Sequence, residues 1–506
     1  MHKYAQKHIN TYIGIRVAFI FLNKLFMVFF MLLENIEQLA QLTIKEILTA
    51  YQDQSLSPVQ VHEMTLAQIE QVNPAINALY DVDVDEVKAA GQASATRWKN
   101  NTRIGALDGI PISIKDSIHA VGKTWHHGSA AHGKGVVGTE DAPPTMKLKQ
   151  AKATILAKCT MPDYGMSASG VSSYHGIIRN PWNLTYSPGG SSAGAGASLA
   201  AGIGICSIGS DIAGSVRLPA SHCGLAALKP TQGMIAHTPA SDIRSAGIMT
   251  RNAQDLEIVL RALGGVHAQD RFSVPVIDMP EQKQITLKVY DNFGFGPEVE
   301  QSVLHVLHEV VEAIGGQGYD MIPGDLRYSF DMYAPIDDLF KIRAFNEYQR
   351  AHEQYRDLTN SHIIAWCKEA QDWTISKYLE IQAGIAKGIE ETQKLFGDAD
   401  YLITPVMPVV NFPAEQLGPD ESMPLRHTTF TAPFNQSGHP AVVICGGFDE
   451  RGLPVGVQLV GKRFSDIHLI RLACEIEKII RAKQGKIQWP TQLQKEKNNE
   501  NKLCFA

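Results

Sequence analysis

Several familiar signatures are missing from this chain. Its seven cysteines form no CxxC pair, which excludes a zinc ribbon or a thioredoxin-like redox motif. The odd count, spread through apolar runs, also speaks against a disulfide framework; buried, reduced thiols of a cytoplasmic protein fit best. Basic charge is not in excess. The net charge is −6, from 46 Lys+Arg against 52 Asp+Glu, so nothing marks a nucleic-acid surface. No P-loop is present, which removes the Walker nucleotide-binding class, and no Ser-x-x-Lys box of the β-lactamase type. His126, His127 and His132 cluster, but no Cys or carboxylate stands beside them at ligand spacing, and no metal site is expected.

Long hydrophobic runs are scarce, with one exception. Residues 17–33 (VAFIFLNKLFMVFFMLL) are apolar, behind Lys3, Lys7 and Arg16. Lys24 interrupts the run, and a charge near a span centre costs about 3 kcal/mol on insertion scales. No small-residue cleavage site follows. Residues 1–33 therefore read as an extended start, with translation from Met27 or Met31. An uncleaved membrane anchor and a secretory signal are the alternatives. The polar tail, 491–506, is expected to be disordered.

Between these ends the pattern is that of one domain, 34–490. Ile44, Ile47, Leu48 and Tyr51 recur at helical spacing. Ser57-Pro58 signals a second helix start, with its stop at Asn73-Pro74, and 83–99 reads as a third helix. At 110–115 the period changes. Ile110, Ile112 and Ile114 alternate with Pro111, Ser113 and Lys115, which predicts a strand with Lys115 opposite the isoleucines. Short strands follow at 154–158, 203–208, 285–290, 401–404, 441–445 and 455–460, with helices at 141–151, 254–263, 297–314 and 465–482. This alternation predicts an α/β fold: a mixed central β-sheet covered on both faces by helices. Residues 320–395 read as a strandless helical insertion, charged and aromatic, whose side chains either pack or line a substrate pocket.

The chain is organised around 186–231, dense in Gly, Ala and Ser. Two Gly-Ser turns flank an apolar small-residue helix, and they carry Ser191 and Ser215. A serine hydroxyl needs a base to become a nucleophile. A lysine can be that base only when neutral, and burial lowers its pKa from about 10.4. Lys115 lies among isoleucines, placed for such burial, and Ser191 can relay a proton from Ser215 to it. Consecutive backbone N–H groups of Ile212, Ala213, Gly214 and Ser215 can converge on one oxygen as an oxyanion hole.

These residues resemble the amidase signature family. The shared motifs are Gly109-Ile110-Pro111…Lys115-Asp116, Gly189-Gly190-Ser191-Ser192, and the run from Gly209 to Ala220 with Ser215 24 positions after Ser191. Flanking matches are Asn180-Pro181-Trp182-Asn183, Lys229-Pro230-Thr231, Asn435 to Ala441 and Gly452 to Gly461. The resemblance implies Ser215 as nucleophile, Ser191 as relay, Lys115 as base, and a cis peptide bond entering Ser191. It implies no cofactor, a small-molecule amide as substrate, and hydrolysis to an acid and ammonia or amine through an acyl-enzyme. A homodimer is left open, and the location is cytoplasmic unless the leader anchors the chain.

Ala213 departs from the family, which has Gly there; a positive φ at that position would strain the hole. Asp211 and Arg217 are expected to brace the nucleophile loop as an ion pair. Ser192 is expected to hydrogen-bond Lys115 or the relay; Ser167 and Ser169 either do the same or serve in packing or at the surface. Asp116 should face away from Lys115, since a charged partner would keep the lysine protonated. The pocket is expected at the insertion, around Met166, and around Thr428 to Asn435. Two other readings stay open: the glutaminase component of a tRNA-dependent amidotransferase, and a catalytically weakened amide-binding protein. The segment from Cys159 to Gly165 departs from the Asn-Met-Asp-Glu-Phe type such components resemble, which favours a free-standing amidase.

Overall fold

Helices open the described chain because their caps are written locally. Thr43 and Ser57 each close a capping box, with Glu46 and Gln60 respectively, at the starts of helices Ile44–Gln52 and Pro58–Ile76. Pro74 does not stop the second helix. It sits in the last turn, where a missing N–H forfeits a single bond, and the helix ends instead at Asn77 in the left-handed region. Asn73 Oδ1 then accepts the N–H groups of Ala78 and Leu79 and turns the chain. The computed structural model describes residues 35–280 and 284–493. The leader at 1–33 and nearly all of the polar tail lie outside that span.

One sheet holds eleven strands: β1 Leu79–Tyr80, β2 Pro111–Lys115, β3 Thr154–Cys159, β4 Cys206–Asp211, β5 Ala226–Lys229, β6 Ser245–Thr250, β7 Thr286–Val289, β8 Asp320–Pro323, β9 Tyr401–Pro405, β10 Ala441–Phe448 and β11 Pro454–Gly461. Their order is β1-β3-β2-β4-β6-β5-β10-β11-β9-β7-β8. β2 runs parallel to β3 and β4, and β7 parallel to β8 and β9. The other neighbours are antiparallel, so the sheet is mixed, as expected. Successive strand residues point to opposite faces. On β11, Gly456 abuts Ser221 of helix Arg217–Cys223. The next residue, Val457, points with Gly446 of β10 toward Val306 of helix Gln301–Ile314. Helices thus cover both faces.

Two expectations shift. The strand read at 203–208 is instead β4, Cys206–Asp211, because Gly202 and Gly204 take positive φ and delay its start. Its last residues are therefore Ser210 and Asp211. The insertion at 320–395 is not strandless. Asp320–Pro323 pairs with β7 as an exposed edge strand, and its four residues, Asp-Met-Ile-Pro, show no apolar–polar alternation. The rest of the insertion is helical: Tyr333–Arg350, Ser361–Lys368 and Ile375–Lys394.

Helix Ala193–Ala200 is buried along its whole length. Its small residues have a steric cause: a Cβ on Gly194 would stand 2.1 Å from the Ala78 carbonyl oxygen. The six described cysteines are unpaired, five of them buried. Among the described residues no helix is long and apolar enough to cross a membrane.

Candidate active site

Lys115 ends β2, buried with 1% of its surface exposed. Its Nζ lies 2.7 Å from Ser191 Oγ, 3.2 Å from Ser210 Oγ and 3.4 Å from the Ser210 carbonyl oxygen. Burial pushes the lysine down to about 7, against the pull of the Asp211 and Asp116 carboxylates. Ser191 follows a cis Gly190–Ser191 peptide, at the turn leading into helix Ala193–Ala200. Ser215 is half-buried and lines the same cavity, of about 240 Å³, as Lys115, Ser191 and Ser210. Its carbonyl accepts the Ser192 N–H at 3.0 Å, which ties the two Gly-Ser turns together. The structure thus joins Lys115 to Ser191. Ser215 shares their cavity, and its Oγ makes no hydrogen bond among the described residues.

The loop carrying Ser215 is held by a buried network. Arg217 grips Asp211 with two contacts, Nε to Oδ2 at 3.0 Å and Nη2 to Oδ1 at 2.9 Å. Burial alone would raise the Asp211 carboxyl; Arg217 overrides it and holds the group well below the usual carboxylate range. Arg217 Nη1 also donates to the Thr431 carbonyl and to Gln458 Oε1, while Asn435 Nδ2 donates to Asp211 Oδ1 and its carbonyl. The Asp211–Arg217 brace is as the sequence predicts. The residues 428–435 are not: Thr431 and Asn435 bind the loop from behind, and none of that segment lines the cavity.

The oxyanion-hole set loses one member. Gly214 N–H already donates to Asp211 Oδ1 at 2.8 Å, and one N–H carries one hydrogen. The N–H groups of Ile212, Ala213 and Ser215 make no such bond among the described residues. Ala213 is also relieved of suspicion. It does not take a positive φ; Gly214 does, at +122°, and there a glycine is retained. A Cβ at Gly214 would stand 2.5 Å from Thr431 Oγ1.

Other expectations divide. Ser192 Oγ is buried with no partner among the described residues and makes no hydrogen bond to Lys115; its backbone N–H donates to the Ser215 carbonyl. Ser167 and Ser169 hydrogen-bond each other at 3.1 Å, away from Lys115. Asp116 faces away from the lysine, as strand alternation predicts. Its carboxylate accepts from Tyr80 and from the N–H groups of His126 and Gly128. It thereby fixes the loop that brings His127 to the cavity. Burial lowers the pKa of all three clustered histidines, His127 to about 3; His126 stacks on Tyr174 and His132 sits edge-on to Trp125. Sequence reasoning missed Ser210, although it lies inside the run from Gly209 to Ala220 that resembles the family. It also missed the polar face of helix Tyr333–Arg350, whose Arg343, Asn346, Glu347 and Arg350 line the cavity. The aromatic residues Phe340, Tyr348 and Trp366 of the insertion are buried in packing instead. Met166 lines the cavity, as expected, with Met161 and Tyr164.

Comparison with known proteins fits this arrangement. Residues 60–470 match the Amidase family model. A glutamyl-tRNA(Gln) amidotransferase subunit of Geobacter metallireducens is 30% identical over 481 residues, covering 87% of this chain and 97% of the relative. In fold, the chain is similar to a bacterial aryl acylamidase of the amidase signature enzymes, with a TM-score of 0.81 at 21% identity, covering 89% of this chain and 98% of that one. It is likewise similar to a 6-aminohexanoate cyclic dimer hydrolase, with a TM-score of 0.78 at 23% identity, covering 87% and 97%. The chain belongs to the Amidase family and is an enzyme of carbon–nitrogen amide bonds.

Proposed function

We propose that the chain hydrolyses a carboxylic acid amide through Ser215, Ser191 and Lys115. The observation that carries this is the hydrogen-bonding of the Lys115 amine. A neutral amine has two N–H groups and one lone pair. Ser210 offers two acceptors, its Oγ and its carbonyl, which leaves the lone pair for the Ser191 hydroxyl 2.7 Å away. Ser191 can then take the Ser215 proton as it passes its own to Lys115. Ser215 Oγ attacks the amide carbon, and the N–H groups of Ile212, Ala213 and Ser215 stabilise the oxyanion. Ser191 returns the proton to the leaving nitrogen, and ammonia or an amine departs. Water cleaves the acyl-enzyme by the same relay, restoring Ser215. No step calls for a cofactor. A reducing compartment suits the unpaired cysteines, and a cytoplasmic location is part of this reading.

A serine-directed fluorophosphonate should label the protein at one site, and Ser215→Ala should abolish the label. Labelling of that variant at the native rate would refute Ser215 as nucleophile. A second reading, the glutaminase component of an amidotransferase, is favoured by the 30% identity to a protein of that kind over nearly its whole length. Against it stands the Cys159-to-Gly165 segment, where Asp163 accepts N–H groups from Ser173 and Asn360 and docks onto the chain's own insertion. Glutaminase activity that appears only with co-purified partner proteins would decide for the second reading.

A further inference from the structure

The outer wall of the cavity carries charge that amide hydrolysis alone does not need. Arg343, Asn346, Glu347 and Arg350 stand at i, i+3, i+4 and i+7, hence on one face of helix Tyr333–Arg350, and all border the cavity. Arg244 enters from the segment just before β6. Its Nη2 donates to the Pro239 carbonyl at 2.5 Å, but its Nε is buried with no partner among the described residues. Arg343 and Arg350 form no ion pair and no hydrogen bond among the described residues. Among the described residues Glu347 is the one carboxylate lining this cavity, and it bonds to none of the three arginines. Burial, then the charge of Arg343, depresses Arg244 to about 10, so the two guanidinium groups sense each other. Glu347 attracts both Arg244 and Arg343, Asp270 attracts Arg244 and Asp242 attracts Arg343, but among the described residues none of these carboxylates bonds to either guanidinium, and the two cations flank a candidate nucleophile.

We propose that the substrate amide bears a carboxylate, held by Arg244 and Arg343 while its carbonyl carbon meets Ser215. The inference rests on the amidase reading of Ser215. A guanidinium fork matches a planar carboxylate with two parallel hydrogen bonds. A cavity of about 240 Å³ suits a short chain between the carboxylate and the amide. Glu347 tempers the positive field, which favours a singly charged carboxylate over a phosphate dianion.

The test compares matched amides on the whole protein: succinamate and glutaramate against succinamide and butyramide. The acidic partner of each pair should be favoured at least tenfold in kcat/KM, mainly through KM. Arg244→Gln and Arg343→Gln should each shrink that preference by roughly 10–100-fold, the range for a hydrogen bond to a charged group. Equal or better turnover of the neutral amides by the wild-type protein overturns the proposal, with no variant required. A preference that survives both substitutions in folded variants also overturns it. If no amide is turned over, calorimetric titration of the wild-type protein with glutarate separates the two readings. Binding lost in both variants upholds the anion site and sinks the hydrolase reading. Turnover of neutral amides without glutarate binding does the reverse.

Discussion

A lysine is a base only after it has lost its proton, and Lys115 loses it early because its surroundings are dry. Burial brings it to about 7 although two carboxylates pull the other way. Below that value Nζ has no lone pair for Ser191. kcat/KM should therefore rise with pH through about 7 and level off above it. Lys115→Ala should lower the rate by roughly 10²–10⁴-fold, the usual contribution of a positioned base, and should erase this limb of the profile. A flat profile from pH 6 to 8, or a variant of native activity, would place the base elsewhere. At this scale the sequence was most informative. Lys115, Ser191 and Ser215 sit in short motifs whose spacing reflects local backbone geometry. Ser210 is not legible in the same way, since nothing in its spacing sets it apart from its neighbours, although it supplies two of the three groups around Nζ.

Between residue and fold stands the loop from Asp211 to Arg217, which joins β4 to helix Arg217–Cys223. It has no regular hydrogen-bond ladder, so side chains hold it. Asp211 accepts the Gly214 and Val216 N–H groups as well as Arg217. Removing Arg217 would leave Asp211 as an unpaired charge in a fully buried site. Arg217→Ala should thus cost about 3–5 kcal/mol in urea unfolding, the range for a broken buried pair, and should lower the rate of labelling at Ser215. A loss below about 1 kcal/mol would show that Asn435 and the backbone donors suffice without the guanidinium. The ion pair could be read from Asp211 and Arg217, six residues apart in one motif. Thr431, Asn435 and Gln458 could not, since they arrive from over 200 residues away.

For the molecule as a whole, the alternation of strands and helices made the α/β class legible, because each strand's apolar run is local information. The order of eleven strands is not local. Nor is the cavity wall, where Arg343 and Arg350 look in sequence like the solvated face of a helix and prove to face Ser191 and Ser215. The same burial that makes Lys115 a base acts on global stability. Unfolded, Lys115 titrates near 10.5; folded, near 7. Between those values the unfolded chain holds a proton that the folded chain has released. This group therefore makes folding more favourable as pH rises from 7 toward 10.5, and its full penalty is present below 7. Lys115→Met removes the titration while keeping an unbranched apolar chain of similar length. From pH 7 to 9 the wild-type protein should gain about 2 kcal/mol relative to this variant, since one pKa unit corresponds to about 1.4 kcal/mol. Urea unfolding of both proteins at the two pH values reads this difference directly and cancels every other titrating group they share. An unchanged difference would mean that Lys115 stays charged in the folded protein, and a charged Lys115 cannot accept the Ser191 proton.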